Sequence, residues 1–142
     1  MRVFGLFVLI FAMSGLPAGA DPDKTSSLNA LRAANGLSVL TYSSRLEQAA
    51  LLHADDMLRA RHFSHTGSDG SDVGQRVSRT GYGWCVVAEN IAQGHRNLKE
   101  VLGAWVDSPG HRANMLSSEV TEFAVVEGGG YIWVMVLARP GC

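Results

Sequence analysis

The chain has 142 residues and carries 12 lysines and arginines against 13 aspartates and glutamates, a formal net charge of −1. That balance, with no basic cluster interleaved with aromatics, excludes the electrostatic footprint of a general nucleic-acid binder, so no nucleic-acid partner is expected. With 46% hydrophobic residues, the chain can bury the core of one ordinary domain.

Residues 1–20 read as an export signal. Arg2 precedes an apolar run over residues 3–13, a Gly-Leu-Pro break follows, and Ala18-Gly19-Ala20 stands before Asp21, with cleavage expected after Ala20. The run is shorter than the ~20 residues of a spanning helix, so no transmembrane anchor is expected after cleavage. Residues 21–142 then form a single domain, expected to be a secreted monomer in the periplasm or outside the cell.

Ser26 or Ser27 is predicted to cap a first helix carrying Leu28 and Leu31, with Asn35-Gly36 as its left-handed stop. A second helix starts near Ser43-Ser44, where Leu46, Ala49, Ala50, His53, Ala54, Met57 and Leu58 form one stripe at helical spacing. The stripe fades at Arg61. Phe63 is expected to pack back on the core while His65 and the turn over residues 66–71 emerge into solvent. His53, on the stripe, reads as a core histidine satisfied by a nearby acceptor; His62 and His95 read as solvent-facing.

Asp72 or Ser71 can cap a third helix with Val73, Arg76 and Val77, ending at Thr80-Gly81. Asn97 followed by Glu100 has the form of a capping box for a fourth, carrying Val101, Leu102, Ala104, Trp105 and Val106. Pro109-Gly110 is expected to end it, which places His111 on a turn. Residues 123–127 and 131–138 read as strands joined in a hairpin by Gly128-Gly129-Gly130. A third strand is sought in residues 84–87 or 88–92. Helices mostly precede strands, which favours a segregated α+β architecture.

Cys85 and Cys142 are expected to form a disulfide in an oxidising compartment; two unpaired, buried thiols are the alternative. His65, Glu89 and His111 stand out as possible metal ligands or acid/base groups. Their separations of twenty-four and twenty-two residues make no local metal motif.

The segments FSHTGSDGS around His65, AENIA around Glu89 and SPGHRANM around His111, in that order, resemble the CAP superfamily, the SCP-like extracellular domain of cysteine-rich secretory proteins, venom allergens and pathogenesis-related proteins. The likeness covers roughly residues 28–137 and suggests a small bacterial secreted member. It implies an α-β-α sandwich with a small antiparallel sheet between helical layers. It also implies a solvent-filled cleft where two histidines and two acidic residues face one another, the histidines able to hold zinc or another divalent metal.

By that match His65 and His111 are the expected metal ligands and Glu89 one of the acids, and these three are the candidate catalytic residues. The second acid, which many eukaryotic members carry three positions after the tryptophan of the fourth helix, falls on Ser108. A serine hydroxyl is a weak zinc ligand and no carboxylate base, so the departure leaves a His-His site and weakens a catalytic one. Asp107 and Glu122 are possible substitutes. Asn90, Ser108, Arg112 and Asn114 are expected to support the site, Arg112 by pairing with a carboxylate, while Trp105 and Trp133 belong to the core. The expected function is non-enzymatic binding of a small ligand, lipid or envelope component. A metal-dependent, peptidase-like hydrolase and a protein-interaction module with a vestigial cleft are the alternatives.

Overall fold

The apolar periodicities of the sequence resolve, in a computed structural model describing residues 22–142, into helices on both faces of one sheet. The export signal expected over residues 1–20 lies outside the described residues. In chain order the elements are α1 (Pro22–Ala34), β1 (Thr41–Tyr42), α2 (Ser44–Ala60), α3 (Val73–Arg79), β2 (Trp84–Gln93), α4 (Leu98–Asp107), α5 (Pro109–Met115), β3 (Glu122–Gly128) and β4 (Ile132–Pro140).

The strand order is β1-β3-β4-β2. β4 runs antiparallel to both β2 and β3, and β1 adds a two-residue parallel pairing to β3. The sheet is antiparallel, as expected of the sandwich, but for this short parallel pairing, which two residues are too few to announce by a period. β2 takes in both stretches proposed for the third strand. β4, buried on both faces, divides its side chains by alternation. Ile132, Val134, Val136 and Ala138 join Leu46, Ala50 and Val77 on the α2–α3 side. Trp133, Met135 and Leu137 join Leu28, Val101, Trp105 and Met115 on the other.

Local chemistry accounts for most boundaries. Asp72 caps α3 in a reciprocal box with Gln75, and the Asn97 side chain accepts from the Glu100 N–H at the start of α4. α1 starts earlier than its serines suggested: Ser26 lies inside the helix and its hydroxyl bonds the Asp23 carbonyl, since proline is well suited to a first turn. The stop at Gly36, with φ of 72°, stands as expected.

α2 ends at Arg61 in the left-handed region. Beyond it Phe63 is 45% exposed, and Leu58 is 42% exposed, against their expected burial. Leu58 lies over Gly129 and Gly130, which have no side chains to cover it, and the turn at Arg61 carries Phe63 to a surface hollow that it lines together with Leu58. Pro109 likewise departs from expectation. Ser108 is extended and breaks the α4 axis, and Pro109 opens α5 instead of ending helical structure. His111 thus sits on a helix.

Cys85 and Cys142 form the expected disulfide. The β2–β4 register shifts between Trp84 and Val86, so Cys85 is the extra residue of a bulge at the strand's edge. Arg32, fully buried, donates to the carbonyls of Ser38, Met115 and Ser117 and so fastens α1 to the end of α5.

Candidate functional site

β2 is an outer strand of the sheet, and successive residues of a strand face opposite sides. Glu89 pairs with Val136 and Asn90 with Met135, so Glu89 faces the α2–α3 layer and Asn90 the α5 layer. The two helical layers meet around this edge.

On the first side the carboxylate of Glu89, whose side chain is 3% exposed, is held at both oxygens. His65 Nδ1 lies 2.8 Å from Oε1 and Arg76 Nη2 lies 2.7 Å from Oε2. A carboxylate only accepts, so His65 Nδ1 carries a proton; the neutral ring with that tautomer has its lone pair on Nε2, and the ring is exposed. Arg76 Nη1 also donates to the carbonyls of His65 at 3.0 Å and Ser71 at 2.7 Å. One guanidinium thereby holds both the carboxylate and the loop that bears His65.

The sequence had shown Arg76 only as a member of α3. Its position one residue before Val77, on the buried face of a short helix, was the available signal, because a buried arginine needs acceptors. His53 is buried as expected, with Nε2 donating to the Ser64 carbonyl at 3.0 Å and 3.8 Å from Glu89 Oε1. Burial pushes its pKa below the ordinary histidine value, with Glu89 opposing and Arg76 reinforcing that shift.

On the second side Asn90, wholly buried, donates from Nδ2 to the His111 carbonyl at 3.0 Å. Asn114 Nδ2 donates to Asn90 Oδ1 at 2.8 Å and reaches the Glu89 carbonyl at 3.4 Å. These amides moor α5 to β2. His111 Nδ1 lies 2.9 Å from Ser108 Oγ, so the residue preceding α5 engages the ring instead of capping the helix backbone. The His111 ring sits 6.4 Å from that of Trp105. Burial, then the charge of His65, lowers the His111 pKa. Of these two imidazoles only His65 touches Glu89.

Arg112 makes no ion pair among the described residues, unlike the pairing expected of it. Asp107 is exposed at the end of α4 and Glu122 lines a separate hollow with Tyr82, so neither replaces the second acid. Among the described residues no group of three or more His, Cys, Asp or Glu side chains is arranged to hold a metal ion. The donor set left over is two imidazole nitrogens: His65 Nε2, and His111 Nε2 when Ser108 accepts from Nδ1. Two nitrogens fall short of the three protein ligands of a catalytic zinc.

Residues 25–136 match the family model described as CAP, cysteine-rich secretory protein family. Over 107 residues the chain is 33% identical to the uncharacterized protein YkwD of Bacillus subtilis (strain 168), covering 74% of this chain and 41% of that protein. Over 97 residues it is 27% identical to the uncharacterized membrane protein YlbC of the same organism, covering 68% and 28%. The chain thus spans less than half the length of these relatives. It superposes with a TM-score of 0.79 on an extracellular protein containing an SCP domain from Bacillus anthracis, at 26% identity over 83% of this chain and 39% of that one. An outer surface protein from Borrelia burgdorferi shares the fold, with a TM-score of 0.76 at 22% identity over 84% and 92% of the two chains.

Proposed function

Because the chain belongs to the CAP, or cysteine-rich secretory protein, family, we propose that it is an exported binding module whose His65–Glu89–His111 edge takes up a small ligand, lipid or envelope component through a divalent ion. The observation that carries this reading is the double engagement of Glu89 by His65 and Arg76. A carboxylate held in this way orients an imidazole and fixes its tautomer, as the outer partners of metal-binding histidines do. It is not poised to take a proton from water. An ion at the site would be held by Nε2 of His65 and of His111, and it would supply a Lewis-acidic contact for a ligand oxygen. Hydrolysis would need a further ligand and a disengaged base, and the described residues offer neither at this site.

Export is supported by the signal read over residues 1–20 and by the extracellular relative from Bacillus anthracis. No helix among the described residues is long and apolar enough to cross a membrane.

Calorimetric titration of the exported chain with zinc tests the reading. His65→Ala and His111→Ala are each expected to weaken binding about tenfold or more, and Ser108→Ala to weaken it less. Equal heats in wild type and both histidine variants would remove the ion from the proposal. Peptide turnover that is lost in the double histidine variant would replace binding by hydrolysis.

A further inference from the structure

Cys85 and Cys142 bridge one end of the β2–β4 ladder, and their surroundings are unequal. Cys142 is exposed, whereas Cys85 is half-buried. Arg139 Nη2 donates to Cys85 Sγ at 3.6 Å, and Arg139 Nε donates to the Glu119 carbonyl at 3.1 Å. Arg139 makes no ion pair among the described residues. Its charge is thus turned on one sulfur of the two, with no carboxylate to neutralise it. The residue before Cys85 is anchored as well. Trp84 Nε1 donates to the Gly74 carbonyl at 3.0 Å and lies 3.0 Å from Ser78 Oγ, which fixes the start of β2 on α3.

A neutral disulfide sulfur is a weak acceptor and gains little from a guanidinium. A thiolate in the same place gains a charge-assisted contact, and a neighbouring arginine lowers the pKa of its thiol. The contact therefore favours the opened bridge over the closed one. It also favours Cys85 as the leaving sulfur, because a thiol of lower pKa leaves faster, while access favours attack on Cys142. We propose that this bridge is a thiol–disulfide exchange site at which a small aliphatic thiol adds reversibly to Cys142. The thiol first gives its proton to solvent. Its sulfur then bonds to Cys142 Sγ, the bond between Cys142 and Cys85 breaks, and the electron pair stays on Cys85 Sγ beside Arg139. One disulfide replaces another, with no net oxidation. Attack of the Cys85 thiolate on Cys142 Sγ reverses the step and expels the small thiol. β2 keeps its place throughout, held by its ladder to β4 from Trp84 to Gln93 and by the Trp84 anchor.

The test incubates the full chain with reduced glutathione in the absence of denaturant, quenches it in acidic maleimide and locates each adduct by peptide mass spectrometry. Glutathione is expected on Cys142 and maleimide on Cys85, with the far-ultraviolet circular dichroism unchanged. Arg139→Gln should slow the exchange about threefold or more, and Arg139→Lys, which keeps the charge, should slow it less. In Cys142→Ser, Cys85 is a free thiol, and its rate of alkylation by iodoacetamide against pH reports its titration. The midpoint is expected below the ordinary value of ~8.5, and adding Arg139→Gln should move it upward. A purely structural role for Arg139 would not move that midpoint. Glutathione on Cys85, a bridge that opens only in urea, or a Cys85 midpoint at or above ~8.5 that Arg139→Gln leaves in place would overturn the proposal.

Discussion

Arg76 Nη2 lies 2.7 Å from Glu89 Oε2 with both side chains nearly withdrawn from water, an ion pair that clamps α3 to the outer strand β2. Removing one partner of such a pair strands the other charge. Arg76→Leu is expected to cost about 3–5 kcal/mol of stability, and Arg76→Leu with Glu89→Leu distinctly less, because no charge is then left buried. Urea unfolding of the three proteins measures both numbers. A single variant as stable as wild type would show that the clamp contributes nothing.

Stability should fall as the medium turns acidic through the histidine range. His53 and His111 have folded pKa values below the ordinary value, so the unfolded chain takes up protons first. The stability present above about pH 6.5 is then lost between that pH and the lower folded values. Asp56 and Asp69, whose carboxyl pKa values are lowered chiefly by hydrogen bonds from Ser68 and Ser71, lose theirs only at more acidic pH. Urea midpoints in chelator-treated buffer at about pH 7.5 and about pH 5.5 check the direction, and His53→Gln should flatten the difference. A midpoint that rises on acidification would contradict it.

The Cys85–Cys142 bridge spans 57 residues of sequence. The chain-entropy estimate for closing such a loop is about 4 kcal/mol, so Cys85→Ser with Cys142→Ser should lower stability by up to that amount. The fold should survive, since the β2–β4 ladder and the Gly141 N–H to Gly83 carbonyl bond remain. Far-ultraviolet circular dichroism and urea unfolding separate the two statements.

Gly128 has an ordinary negative φ, but a Cβ there would meet the Ala54 Cβ at 2.7 Å. Gly128→Ala is therefore expected to push α2 from β3 at a cost of about 1–3 kcal/mol by overpacking. Pairing it with Ala54→Gly should restore most of the loss. A thermal midpoint unchanged by the single substitution would show that the helix yields freely.

Several features were legible as strings of letters. The stripe from Leu46 to Met57 predicted α2, Asp72 and Asn97 announced their helices, and the triple glycine marked the hairpin, because each depends on chemistry within a few residues. Pro109 misled for the same reason: proline ends one helix or opens another, and the extended Ser108 before it made the choice. β1 was invisible because its pairing with β3 joins residues some eighty positions apart. The exposure of Phe63 depended on the turn at Arg61, and that of Leu58 on two glycines across the domain.

His65, Glu89 and His111 were recognisable by their surroundings and their order, and residue type alone set what each could donate or accept. Their arrangement was decided elsewhere. Alternation along an outer strand sends Glu89 to one helical layer and Asn90 to the other; Arg76 then occupies one Glu89 oxygen, and the other oxygen places a proton on His65 Nδ1. Those contacts join segments far apart in sequence, and a proton's position follows from the partner that folding supplies.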